Sequence, residues 1–188
     1  MRVAGARMKS TRRDGSWQAP GAHARIVGID PGTRIAGYSV VDFALRGDAK
    51  IVDAGVFRLS ADAPLASRLR QLHEDLEALL AEHHPTHMAL ESVFSHAEHV
   101  QSALQMAHAR GVVLLAAELR GLPVAELPPA EVKKALTGNG RATKAQIQRA
   151  VVTQCALAEV PNPPDVADAI AIALCAGRRL AMQAGALP

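Results

Sequence analysis

The sequence predicts an α/β domain built on one mixed sheet with helices on both faces. Three observations carry this. Strand-type segments come as a block of three, at Ile26–Ile29, Ile35–Val41 and Lys50–Leu59, and then alternate with helical segments. An antiparallel meander is therefore followed by at least two strand–helix–strand crossovers, and such crossovers place helices over the sheet. Hydrophobic residues make up 49% of the chain, yet it has only three Phe, one Tyr and one Trp. The core must be built from Ala, Leu, Val and Ile, which suits helices on a sheet better than a β-sandwich. A length of 188 residues fits one domain with a substantial core.

The elements follow from local chemistry. Ile26–Ile29 is a short apolar strand that stops at Asp30-Pro31-Gly32, a turn sequence. Pro64 opens a helix to about His83, with Leu65, Leu69, Leu72, Leu76, Leu79 and Leu80 on one face. His87–Glu91 after Pro85 and Pro123–Leu127 read as strands. Residues 97–120 read as a long, largely apolar helix between them. Pro129–Leu136 is a short helix and 137–140 a Gly-rich loop. Thr143 caps a helix to about Leu157. Asn162-Pro163-Pro164 breaks the chain, and Asp165 starts a last helix to about Arg179. No internal repeat is present.

Residues 1–24 lack periodicity and predict a disordered basic tail, 25–180 the folded domain, and 181–188 a C-terminal tail. The first 25 residues hold six Lys or Arg and one acid, leaving 15 basic and 17 acidic residues in the rest, a net charge of −2. The tail either adds salt-sensitive DNA affinity or has no role. Any nucleic-acid face within the domain must be local. No apolar run nears a membrane span, and no Gly-Lys-Ser/Thr phosphate loop occurs. Cys155 and Cys175 sit in apolar helical patterns and read as small buried residues of a reducing, cytoplasmic protein.

Four acids stand out by position. Asp30 and Glu91 end strands, and Asp165 and Asp168 share a face of the last helix at i and i+3. Strand ends and a helix start can converge on one sheet edge, where clustered carboxylates repel unless cations neutralise them. Hard oxygen donors suit Mg²⁺ or Mn²⁺, and a pair of such ions can drive phosphodiester hydrolysis. Each acid also has a plainer reading. Asp30 is a turn residue, Glu91 a surface acid, Asp165 an N-cap, and Asp168 a residue favoured by the helix dipole. The four together favour the metal site.

Other features are weighed beside them. Residues 128–150 hold Lys133, Lys134, Arg141, Lys144 and Arg149 against Glu131 alone, either a solvated helix face or a set of phosphate contacts. Phe94 is either core or a base-stacking side chain. His83, His84 and His87 surround Pro85 and read as a solvated turn, while His96, His99 and His108 fall on the helix after Glu91. Ser39, Ser92 and Ser95 lack evident His/Asp partners.

The stretch from Ile26 to Val40, IVGIDPGTRIAGYSV, together with Glu91-Ser-Val-Phe94, Gln105-Met-Ala-His-Ala-Arg-Gly111, Pro128–Lys144 and Asn162-Pro-Pro-Asp-Val-Ala-Asp-Ala-Ile-Ala171, resembles the RuvC family of Holliday junction resolvases. The matches keep their order over about residues 26–180. Gly-Ile-Asp-Pro-Gly alone is shared with actin-like ATPase folds. The resemblance implies a ribonuclease H-like fold with Asp30, Glu91, Asp165 and Asp168 as catalytic metal ligands for two Mg²⁺ or Mn²⁺ ions. It further implies DNA contacts from Lys133 and Lys144, with Arg141 beside them, and a role for Phe94 at the junction centre. It implies a homodimer that nicks two strands of like polarity across a four-way DNA junction in recombination and repair, in company with a branch-migration helicase. The rivals are a ribonuclease H-like nuclease for RNA or linear DNA, an actin-like ATPase, for which the chain is too short, and a catalytically dead junction-binding scaffold.

Overall fold

A computed structural model describes residues 23–44, 48–92 and 100–185. The elements are β1 (His23–Asp30), β2 (Ile35–Ala44), β3 (Ala49–Arg58), α1 (Leu65–His83), β4 (His87–Glu91), α2 (Val100–Leu119), β5 (Val124–Leu127), α3 (Pro129–Thr137), α4 (Lys144–Gln154) and α5 (Pro164–Gln183). One five-stranded sheet has the order β3-β2-β1-β4-β5. The first three strands pair antiparallel, and β4 and β5 add in parallel. The expected meander with two crossovers is therefore present. No helix among the described residues is long and apolar enough to cross a membrane.

Strand alternation divides the core. Val27, Ile29, Val40, Met88 and Leu90 face α1 and α2, with Leu72, Leu76, Leu80, Val113 and Ala117. Ile26, Val41, Phe43, Ala89 and Leu127 face the other way, with α3, α4 and α5. The central helix, α5, lies unusually close to the sheet. An ideal Cβ on Gly28 would stand 2.4 Å from the carbonyl oxygen of Ala169, and one on Gly37 would stand 2.1 Å from that of Asp165. Only glycine admits the helix backbone there. Buried Ser39 donates to the same Ala169 carbonyl at 2.9 Å.

Several boundaries differ from expectation. The strand β1 starts at His23 because β2 extends to Ala44 and pairs with it, and no apolar alternation announces this start. Helix α4 stops at Gln154, because Cys155 caps it and Ala156 turns to φ 50°. Pro163 is the N-cap of α5 and Pro164 its first residue, so Asp165 is not the cap. Proline suits that first position because its missing N–H would be unpaired there anyway. The far end of α5 runs past residue 180, and Leu180 and Ala181 are fully buried.

Thr143 caps α4 as expected. Its hydroxyl accepts from the Gln146 N–H at 3.3 Å, and the Gln146 side chain accepts from the Thr143 N–H at 2.8 Å. This capping box makes Lys144 the first residue of α4. Thr143→Ala should lower stability by ~1 kcal/mol, measured by urea denaturation.

Candidate active site

The same alternation that buries Ile26, Gly28 and Ala89 toward α5 brings Asp30 and Glu91 out on that face, at the ends of adjacent parallel strands. Their register runs Gly28 to Ala89 and Ile29 to Leu90. Asp168 comes from the first turns of α5, which the glycine contacts seat on β1 and β2. From the other side come Lys133 of α3 and Lys144 of α4. Asp30, Glu91, Asp168, Lys133 and Lys144 line one pocket of about 280 Å³, floored by Val132, Ile147, Ala171 and Ile172.

Burial, and then the charges of Asp168, Glu91 and Asp165, push the Asp30 carboxyl up to about 7, against the pull of Lys144. Glu91 is raised by burial and by Asp168, and is opposed by Lys133 and Lys144. The Lys144 ammonium lies 2.9 Å from Asp168 Oδ2, a hydrogen bond that raises the lysine. Asp165 does not line the pocket, although its charge is felt by Asp30 and Lys144.

The donor set fits a hard divalent cation in kind. Its oxygens are carboxylates, and burial together with their mutual repulsion raises Asp30 to a pKa at which its charge needs compensation. Among the described residues no three acidic, histidine or cysteine side chains stand ready-gathered around one ion position. Lys144, bonded to Asp168, and Lys133 are the cationic side chains lining the pocket beside the acids.

A family model described as crossover junction endodeoxyribonuclease RuvC matches residues 26–176. The chain belongs to the RuvC family. A RuvC from Rhodopirellula baltica is 46% identical over 158 residues, covering 83% of this chain and 87% of that protein. One from Pelotomaculum thermopropionicum is 45% identical over 150 residues, 80% of this chain and 90% of that one. The structure of T. thermophilus RuvC in complex with a Holliday junction substrate superimposes with a TM-score of 0.79 at 33% identity, covering 86% of this chain and 97% of that one. The yeast mitochondrial resolvase Ydc2, at 15% identity and a TM-score of 0.61, shares the ribonuclease H-like fold. Family membership makes the chain a crossover junction endodeoxyribonuclease, and RuvC nucleases are metal-dependent.

Of the residues singled out in the RuvC-like motifs, Arg141 lies exposed in the α3–α4 loop, outside the pocket lining. Phe94, His96 and His99 lie outside the described residues. The Pro85 histidines go separate ways. His83 Nε2 lies 3.2 Å from Asp53, His84 caps α1, and His87 is buried with Nδ1 2.9 Å from the Thr86 hydroxyl. Both cysteines are free thiols; Cys175 is buried and Cys155 half-buried.

Sequence reasoning missed three supporting arginines. Arg178 of α5 donates to the Ala135 carbonyl and, at 2.7 Å, to Gln154, holding α3 and α4 together behind Lys133 and Lys144. Arg68 and Arg110 reach the acidic strand ends from the opposite side of the sheet. The signal for Arg110 was a charge set among the buried Ala109, Val113 and Ala117, where it requires a partner.

Proposed function

We propose that this chain resolves four-way DNA junctions by metal-dependent hydrolysis, with Asp30, Glu91, Asp165 and Asp168 as the ion-holding set. The observation that carries the reading is the pocket itself, where three acids from three separate elements meet two lysines. The acids would hold two Mg²⁺ or Mn²⁺ ions. Bound there, such ions lower the pKa of the attacking water and stabilise the leaving oxygen. The chain does the rest. Asp30 and Glu91 stand on adjacent strand ends that fix their spacing, and Lys133 and Lys144 set phosphate next to the acids. Arg141 would extend that basic face, and Phe94 would stack at the junction centre. No side chain acts as a nucleophile.

The enzyme acts as a homodimer whose two sites match the junction's approximate two-fold symmetry, giving paired nicks in strands of like polarity. Leu104, Leu115 and Leu119 support this. They lie on one stripe of α2 and are 57%, 53% and 68% exposed. A branch-migration helicase is the expected partner, and the free cysteines accord with the cytoplasm.

The test is cleavage of a mobile four-way junction, a matched linear duplex and a structured RNA, each with Mg²⁺, Mn²⁺ or EDTA. Paired symmetric nicks in the junction alone, lost with EDTA, are expected. Cutting of RNA or linear duplex, or tight junction binding without cutting, overturns the substrate reading. Lys144→Ala should weaken junction binding and reduce the slope of log affinity against log salt by roughly 0.9 for each phosphate it no longer neutralises. Titrations from low to high salt check this, and an unchanged slope removes Lys144 from the DNA face.

A further inference from the structure

The two strand ends that carry Asp30 and Glu91 are held from behind. Arg68 of α1 donates to the Thr33 carbonyl at 2.8 Å, in the turn after Asp30. Arg110 of α2 donates through one terminal nitrogen to the Glu91 carbonyl at 2.6 Å, and through the other to the carboxylate of Glu126 on β5. The Arg110 side chain is only 13% exposed. It lies on the α2 side of the sheet, away from the pocket, and touches no pocket acid's carboxylate.

The backbone explains why an arginine is needed. The N–H groups of Met88 and Ser92 bond on the β5 side, to the carbonyls of Pro123, just before β5, and of Leu127 at its end. Residues of β4 alternate, so the Glu91 backbone is turned toward β1. In a parallel ladder of the observed register, a carbonyl so turned meets the N–H one position beyond its paired residue. For Ala89, paired with Gly28, the donor position is beside it on β1. For Glu91 it is residue 31, and Pro31 has no N–H. The ladder therefore ends one bond short, at the residue whose side chain enters the pocket. The Arg110 guanidinium occupies that carbonyl with a charge-assisted bond, stronger than the amide bond it replaces.

We infer that Arg110 is a positioning residue for the acidic site, supplying the donor that Pro31 lacks and fixing the strand end from which Glu91 projects. This rests on the reading of Glu91 as an ion ligand. Glu126 orients the guanidinium, and its exposed carboxylate is secondary to the carbonyl contact. Loss of such an outer support typically costs ten- to a hundredfold in ion affinity.

The experiment is Mn²⁺ binding to the DNA-free full chain, followed by the electron paramagnetic resonance of free Mn²⁺. Parent, Arg110→Met, Arg110→Lys, Glu126→Gln and Glu91→Gln are compared, each with a thermal melt. Arg110→Met should weaken Mn²⁺ about tenfold, and Arg110→Lys, with one donor kept, about threefold. Glu126→Gln should stay within about twofold. Should Arg110→Met fail to fold, Arg110→Lys carries the test by its own, smaller loss of affinity at an unchanged melting temperature. Parental affinity in the folded Arg110 variants, with Glu91→Gln weakened, overturns the positioning role alone. If Glu91→Gln also binds Mn²⁺ like the parent, the ligand reading fails and this inference falls with it.

Discussion

Asp30→Asn is expected to lower junction cleavage at least ~1,000-fold, the scale on which preorganised electrostatic groups act in a site, while junction binding is kept or improved. The asparagine keeps the shape and size of the side chain but cannot balance a divalent ion. It also removes a negative charge from a surface meant for phosphates, so affinity does not fall with activity. A gel-shift titration beside the cleavage assay separates these outcomes. Joint loss of binding and fold would make Asp30 a structural residue instead.

The same variant has a second signature in stability. Asp30 titrates near 7 in the folded chain, against the ordinary 3.8. Between those values the folded state holds a proton that the unfolded state has released. Stability of the metal-free protein therefore falls as pH rises from about 4 to about 7 and levels off above. A tenfold change in a proton-binding constant corresponds to about 1.4 kcal/mol, so the loss amounts to a few kcal/mol. The raised Glu91 carboxyl acts in the same sense. Melts at pH 5 and pH 8 should show the parent losing stability and Asp30→Asn losing markedly less. Added Mn²⁺ should restore the parent at pH 8 more than the variant. A parent whose melting temperature is flat across this range would mean that neither burial nor the neighbouring acids raise Asp30.

Much of this site was legible because its parts obey local rules. Asp30 and Glu91 each terminate a short apolar strand, and strand alternation then decides the face on which they emerge. Thr143 and Gln146 spell a capping box, and that cap makes Lys144 the first residue of its helix. Asp165 was legible as an acid of the last helix, but Pro163 and Pro164 shift the cap two residues upstream of it. The supports behind the site were not legible. Arg68 and Arg110 bind backbone carbonyls 35 and 19 residues away. A carbonyl leaves no mark in the sequence, since every residue has one. The missing donor is written there as Pro31, but its meaning depends on a β1–β4 register that only the folded sheet supplies. The closeness of α5 to the sheet is of the same kind. Gly28 and Gly37 read only as strand positions until the helix that needs their space is in place.

Gly28→Val should therefore cost ~3 kcal/mol or more, beyond ordinary overpacking, or prevent folding altogether. Strand propensity alone argues the reverse, because β-branched valine is favoured over glycine in a strand by up to about 1 kcal/mol. The two effects oppose each other, and distance decides between them. A Cβ at position 28 would sit 2.4 Å from the Ala169 carbonyl oxygen, 2.8 Å from the Ala173 nitrogen and 2.9 Å from the Ala173 Cβ. Two of these are backbone atoms of a buried helix and cannot swing aside. The Ala169 carbonyl is also engaged by Ser39, so a shift of the helix would break a buried hydrogen bond. The only relief is for α5 to lift from β1, and α5 carries Asp165 and Asp168. Gly28→Ala, with the Cβ but no branches, should fall between parent and valine variant, and cleavage should fall with stability across the series. Urea midpoints for the three proteins decide the matter. A valine variant as stable as the parent would mean that α5 is not seated on the strand that ends in Asp30.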